Sequence, residues 1–188
     1  YKGIGANLLH LAYCHEISRK YGPITVITLC KNLKQILNDD PMIKDVIFIS
    51  EYHKKFTDIF NLSRVLKKFQ FEYFFIFYPS IRFFLASKLA RIKNIYTYKL
   101  FKKKNLHLVK AAKNFVEKNL NIIECPTETK IYVDKEKKED AQKNLKSNKK
   151  NIIIGAGSSG VTTKWGASNF IKLINRFNTE DKYFFYIL

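Results

Sequence analysis

Residues 151–177 read NIIIGAGSSGVTTKWGASNFIKLINRF and gather groups suited to holding a phosphate. Gly155, Gly157 and Gly160 keep a loop clear of side chains. Ser158, Ser159, Thr162 and Thr163 add hydroxyls, and Lys164 adds a full positive charge. The apolar run 152–154 predicts a strand ahead of this loop. Behind it, Phe170, Leu173, Ile174 and Phe177 recur at helical spacing. Strand, small-residue loop and helix together aim backbone N–H groups and a helix dipole at an anion. Each residue also has a plainer reading: a polar connection for the hydroxyl run, a solvated lysine for Lys164, and a packing anchor for Trp165.

The glycines match G-x-G-x-x-G, a dinucleotide fingerprint, yet two features disfavour a nicotinamide or flavin site. In that fingerprint the helix starts within the glycines, whereas here the helical pattern begins only near Ala167. The acid that binds the ribose should close the second strand, whereas Glu180 and Asp181 precede it. A P-loop is excluded because no Gly-Lys-Ser or Gly-Lys-Thr occurs.

The elements that must position this loop follow from periodicity. A flexible glycine loop at Gly3 and Gly5 leads to a helix carrying Leu8, Leu11, Ala12 and Ile17, which Gly22 and Pro23 stop. Strands are predicted at 24–29, 45–49, 73–77, 94–98 and 182–188, with helices at 32–38, from Thr57 as cap, from Ser80 to about Ile92, and at 105–120. Strands alternating with helices predict βαβ units in a doubly wound parallel sheet, with the aromatic strand 73–77 buried on both faces. A first strand is expected ahead of Tyr1, because the opening helix follows its glycine loop directly. Residues 1–125 read as most of one Rossmann-like domain, 126–150 as a linker and charged helix, and 151–188 as the start of a second Rossmann-like domain. The chain reads as a fragment truncated at both ends.

Composition narrows the class. A 46% hydrophobic, 27% charged chain is too apolar for disorder, and no apolar run approaches the about 20 residues needed to cross a bilayer. Cys14, Cys30 and Cys125 are too scattered for a disulfide framework or zinc site, and no metal is expected. Two of them lie in predicted elements and read as small core residues, and a reducing, cytosolic setting fits best. The net charge of +18 is compatible with biased coding, with an anionic ligand or acidic membrane surface, and less well with nucleic acid. No nucleic-acid motif accompanies it, and no nucleic-acid partner is expected.

The glycine loop, read with Trp165 and Phe170, resembles the donor loop of glycosyltransferase family 9, the lipopolysaccharide heptosyltransferases and their relatives. Gly157, Ser159, Gly160, Trp165 and Phe170 match that loop. Ala156 and Gly166 stand where the family has proline, Thr163 where it has lysine, and Lys164 where it has arginine. Gly3 and Gly5 followed by Leu8 and Leu9 are similar to the family's opening loop. The stretch from Tyr78 to Arg82 and the His107-Leu-Val head of a helix fall in the expected order. The resemblance covers essentially the whole chain.

That resemblance implies a GT-B-like α/β fold of two Rossmann-like domains, acceptor on the first and nucleotide-diphosphate sugar on the second. It implies metal-independent, inverting transfer of a heptose-like sugar to a cell-envelope glycan or lipid-linked acceptor, with no cofactor. The donor diphosphate would meet Ser158, Ser159, Gly160, Thr162, Thr163 and Lys164. The acceptor-side loop would use Gly3, Gly5 and Asn7, with Arg82 for an acidic group. The family's Asp, proposed as base, falls on Ala6, so the catalytic residue is unassigned; Glu16, His10 and His15 lie along the next helix. A cytoplasmic protein is expected, with peripheral association at the inner membrane face, and the fragment itself is expected to be inactive. The alternatives are an NAD(P)-binding oxidoreductase or, less favoured, a basic nucleic-acid-binding protein.

Overall fold

The computed structural model describes residues 1–49, 57–98, 107–157, 164–177 and 182–188. It divides into two compact units, Tyr1–Tyr132 and Val133–Leu188, each taken by itself below.

In the first unit, α1 (Ile4–Leu8) and α2 (Leu11–Tyr21) precede β1 (Ile24–Thr28), α3 (Leu33–Ile36) and β2 (Ile43–Phe48). Then come α4 (Asp58–Phe69), β3 (Tyr73–Ile76), α5 (Ile81–Leu89), β4 (Asn94–Thr97) and α6 (Leu108–Leu120). Helix ends follow local chemistry. Gly22 takes φ +85 after α2, a left-handed value that costs glycine little. Arg91 and Asn121 adopt positive φ beyond α5 and α6. The Ser80 hydroxyl accepts the Phe83 N–H at 3.4 Å and opens α5.

β1 pairs with β2 and β3 with β4, both in parallel. Alternating side chains dress both faces. On one face Tyr13, Ile17, Phe115 and Val116 pack with Phe75 and Tyr96, and beside them Leu11, Leu33 and Val46 pack with Val26. On the other, Ile59, Leu62, Leu66 and Ala86 of α4 and α5 pack with Ile27, Ile47, Phe74 and Ile95. Helices therefore cover both sides of both strand pairs, the doubly wound arrangement the sequence predicts.

The second unit holds α7 (Lys135–Lys143), β5 (Lys150–Ile154), α8 (Ala167–Phe177) and β6 (Tyr183–Ile187), with β5 and β6 parallel. A polar clamp ties the turn after α7 to this sheet. The Tyr186 hydroxyl donates to Asn144 O at 2.8 Å. Asn151 Nδ2 donates to Lys146 O at 3.0 Å, and Asn151 Oδ1 accepts the Lys146 N–H at 3.0 Å.

Three expectations are corrected. The opening glycine segment is not a loop: residues 4–8 form α1, because neither Gly3 nor Gly5 adopts a positive φ and the Leu9 N–H reaches Gly5 O at 2.9 Å. Thr57 does not cap α4 through its side chain; its own backbone is already helical, at φ −59 and ψ −22. Strand β3 is not buried throughout, since only Ile76 is fully covered. Among the described residues its inner edge, like that of β1, pairs with no further strand and borders a cavity.

Candidate functional site

In an α/β sheet, ligands gather outside the carboxyl ends of the strands. At that end of the first unit, Tyr1 and Asn7 form a tight polar knot. Asn7 Nδ2 donates to Gly3 O at 2.7 Å and to Tyr1 O at 3.1 Å. Its Oδ1 accepts from the Thr28 hydroxyl at 2.8 Å, which in turn accepts the Cys30 N–H at 3.0 Å. The Tyr1 hydroxyl donates to Phe77 O at 3.0 Å, so the end of the β3 strand is fixed to the same knot. Asn7 thus spends its amide on holding the start of the chain against β1.

Tyr78, Ser80 and Arg82 edge the cavity that Tyr1 and Asn7 also border. The structure therefore brings Asn7 and Arg82 to one mouth, from α1 and from the first turn of α5. Gly3 and Gly5 are exposed beside it. A Cβ added at either would touch nothing within 4 Å, so neither glycine is needed for space in this arrangement.

None of the three candidate proton acceptors on α2 or directly before it is free at this mouth. Glu16 is paired with Arg19. His15 Nε2 lies 2.7 Å from Asp40 Oδ2, both side chains buried, and Asp40 Oδ1 accepts the Met42 N–H at 3.0 Å. This locks α2 to the turn before β2. His10 is 5% exposed. Its Nδ1 sits 2.6 Å from Ala6 O, and a carbonyl only accepts, so Nδ1 carries the proton. Its Nε2 is sealed from solvent and has no hydrogen-bond partner among the described residues. Burial holds its pKa below the ordinary imidazole value, against the pull of the Ala6 carbonyl.

The cysteines match their expected role. Cys30 and Cys125 are buried and Cys14 half-buried, all three unbridged. Burial pushes the Cys14 thiol up to about 12 and the Cys125 thiol up to about 11, which suppresses thiolate chemistry. Among the described residues no group of His, Cys, Asp and Glu side chains could hold a metal ion. No helix there is long and apolar enough to cross a membrane.

In the second unit, β5 ends at Ile154 and hands over to exposed Gly155 and Gly157. The Ala156 N–H bonds Leu188 O at 3.1 Å, at the carboxyl end of β6. Ser158, Ser159, Gly160, Thr162 and Thr163 lie outside the described residues. Lys164 is exposed, three residues before α8. Trp165 is half exposed and stands edge-on to Phe170, ring centroids 4.9 Å apart, while Asn169 Nδ2 donates to Trp165 O at 2.6 Å. The helix starts at Ala167, well past the glycines, as its hydrophobic pattern predicts. Gly166 has φ +89. A proline, fixed near −65°, could not take that conformation, which gives a physical reason for glycine here.

Two elements of the site lay beyond sequence reasoning. The His15–Asp40 pair joins residues 25 apart, and the knot round Asn7 needs Thr28 and Phe77 in place. The one available signal was a pair of histidines five positions apart on an apolar helix, which carries no partner information.

No protein-family model matches the chain, and no curated protein does. Solved structures resemble it, among them the following two. One is the crystal structure of the glycosyl transferase family 9 from Veillonella parvula DSM 2008, with TM-score 0.69 and 18% identity over 98% of this chain. The other is E. coli ADP-heptose lps heptosyltransferase II, with TM-score 0.68 and 14% identity over 96% of this chain. The chain spans 60% of the length of each. At these identities the likeness establishes the fold: an α/β, GT-B-like chain of parallel βαβ units. The family that the motifs resemble is the one whose fold the chain shares.

Proposed function

We propose that this chain carries the acceptor-side unit and the first part of the donor-side unit of a glycosyltransferase. The reading is carried by one observation. A chain with Gly157, Ser159, Gly160, Trp165 and Phe170 at the donor-loop spacing aligns, over 98% of its length, with a family 9 glycosyltransferase structure. In this reading the donor is a nucleotide-diphosphate sugar, and the acceptor an anionic saccharide or lipid-linked glycan of the cell envelope. A heptose-like sugar fits the second structural neighbour, which is described as an ADP-heptose lps heptosyltransferase.

The chemistry is an inverting displacement at the anomeric carbon. The acceptor hydroxyl forms the new C–O bond and loses its proton to a base, and the nucleoside diphosphate leaves with the electrons of the old one. Protein groups rather than a metal ion stabilise the departing diphosphate: N–H groups at the carboxyl end of β5, the hydroxyls of Ser158, Ser159, Thr162 and Thr163, the backbone at Gly160, and Lys164. The helix dipole of α8 adds partial positive charge. Gly3, Gly5 and Arg82 face the acceptor, while Asn7 orders the segment that presents them. The base is unassigned, because Ala6 offers none and Glu16, His15 and His10 are engaged or sealed. The positive charge of the chain suits an anionic acceptor and peripheral attachment to the cytoplasmic face of a membrane.

The experiment is titration of the full-length protein with nucleotide-diphosphate sugars and with NADH, by calorimetry, before and after Lys164→Ala. Nucleotide-sugar binding that weakens about tenfold or more in the variant supports the reading. NADH binding without nucleotide-sugar binding sinks it.

A further inference from the structure

Helices α4 and α5 each turn one face to the sheet and the other to solvent. Ile59, Leu62 and Leu66 of α4 are buried, with Ala86 of α5 packed among them. Phe60 of α4, by contrast, is 61% exposed, and Leu89 of α5 is 50% exposed. These two do not stand alone on the surface. With Ile59, Leu85 and Lys88 they line one groove of about 300 Å³ between the helices. An aromatic ring and a leucine that share an open groove, outside the packed core, mark an interaction surface.

The surroundings of the groove carry one sign of charge. Arg64, Lys67 and Lys68 follow Phe60 at steps of four, seven and eight residues, so they continue its face of α4, and all three are exposed. Lys88 lines the groove itself, its Nζ 5.8 Å from the centre of the Phe84 ring. Arg64 donates to a neutral partner, Asn61 Oδ1, at 3.3 Å. Among the described residues no carboxylate pairs with any of these four cations. Between residues 58 and 93 the sequence offers only Asp58 and Glu72 as acids.

We propose that this α4–α5 surface docks on an anionic lipid bilayer, with Phe60 and Leu89 at the boundary of headgroups and acyl chains and the four cations among the phosphates. Charge complementarity selects the occupant. Lysine and arginine can lay their methylene stems beside Phe60 and Leu89 while their charged ends reach phosphate. Apolar residues bordered by such cations are how helices settle on anionic membranes. A second copy fits poorly. The chain carries a net charge of +18, and two copies joined by this face would set their cation stripes against each other. The inference rests on the part of the reading above that places the protein at a membrane face, and it names the surface that meets the lipid. Sugar transfer does not enter it.

The test is co-sedimentation of the full-length protein with vesicles of phosphatidylcholine alone and of phosphatidylcholine mixed with phosphatidylglycerol. Only the mixed vesicles should bind it, and added salt should weaken binding by screening. Phe60→Ser with Leu89→Ser should weaken binding about tenfold or more, as should Arg64→Gln, Lys67→Gln and Lys68→Gln together. A control removes as much charge elsewhere, through Lys118→Gln on α6 and Lys138→Gln and Lys143→Gln on α7, and should change binding about twofold or less. All these positions are exposed, so each variant should keep the circular dichroism of the parent.

An equal loss in the control overturns the proposal, because charge spread over the whole chain would then account for binding. Full binding by the Phe60 and Leu89 variant overturns it too. So does absence of vesicle binding, which would hand the groove to an acidic protein. A dimer that the Phe60 and Leu89 variant splits in sedimentation would assign the groove to a second copy. Titration of the same proteins with nucleotide-diphosphate sugar keeps the two readings apart. Affinity should be equal in parent and variants, and its absence from the parent sinks the transferase reading alone.

Discussion

The two units solve the burial problem differently. In the first, Leu62, Leu66, Ala86 and Val116 are at most 1% exposed, and helices lie on both faces of the strands. In the second, Ile154 is the one buried apolar residue among those described, while Ile153, Ile187 and Leu188 are 64%, 64% and 79% exposed. In the described part of this unit the crossover helix α8 joins the two strands β5 and β6, and these three side chains lie exposed. Local polar contacts are present there as well, among them the Tyr186–Asn144 and Asn151–Lys146 hydrogen bonds.

The sharpest way to break this contrast is a pair of truncations. Leu66→Ala removes a fully buried side chain from between α4 and α5 and should cost about 2–5 kcal/mol. Ile153→Ala on the open face of β5 should stay within about 0.5 kcal/mol. Denaturant midpoints followed separately for each unit read both, and similar losses would erase the distinction. Next in size is Asp40→Ala. It strips the buried His15 of its partner and the Met42 N–H of its acceptor, at about 1–3 kcal/mol per group left unmet. Retained stability would show that water takes the place of the carboxylate.

Gly166→Pro probes the second unit. Its φ of +89 is closed to proline, so the variant should unravel the start of α8 at a cost of roughly 1–3 kcal/mol. Faster amide exchange at Asn169 and Phe170, whose N–H groups bond Gly166 O, is the readout. Unchanged exchange would mean that the loop has an equivalent second conformation.

The smallest effect is one of pH. Burial holds His10 below its ordinary value, so the unfolded chain binds its proton first on acidification. Stability should therefore fall as pH drops below about 6.5 and level off once the folded protein is also protonated. His10→Gln should remove that part of the pH dependence, and identical slopes in the two proteins would rule His10 out as its source.

Much of this was legible before any coordinates. Apolar periodicity located each predicted strand to within about two residues, because alternation and helical spacing are properties of the backbone itself. The onset of α8 at Ala167 was visible in its hydrophobic pattern. The cap at Thr57 failed, because a capping residue works only if its own backbone stays outside the helix, and nothing in the residue type guarantees that. The opening glycines misled for a related reason. Glycine permits a loop without requiring one, and contacts from Asn7 to Tyr1, Gly3 and Thr28 favoured a turn of helix.

What the sequence by itself determined is the order of βαβ units and the residues that face their cores. Local spacing carries that information. The tertiary structure alone decided which polar groups meet. It paired His15 with Asp40, withdrew Asn7 into the chain's own scaffold, and sealed Nε2 of His10. Those outcomes depend on contacts between residues far apart along the chain, and a partner's direction and distance are set only when the helices have packed.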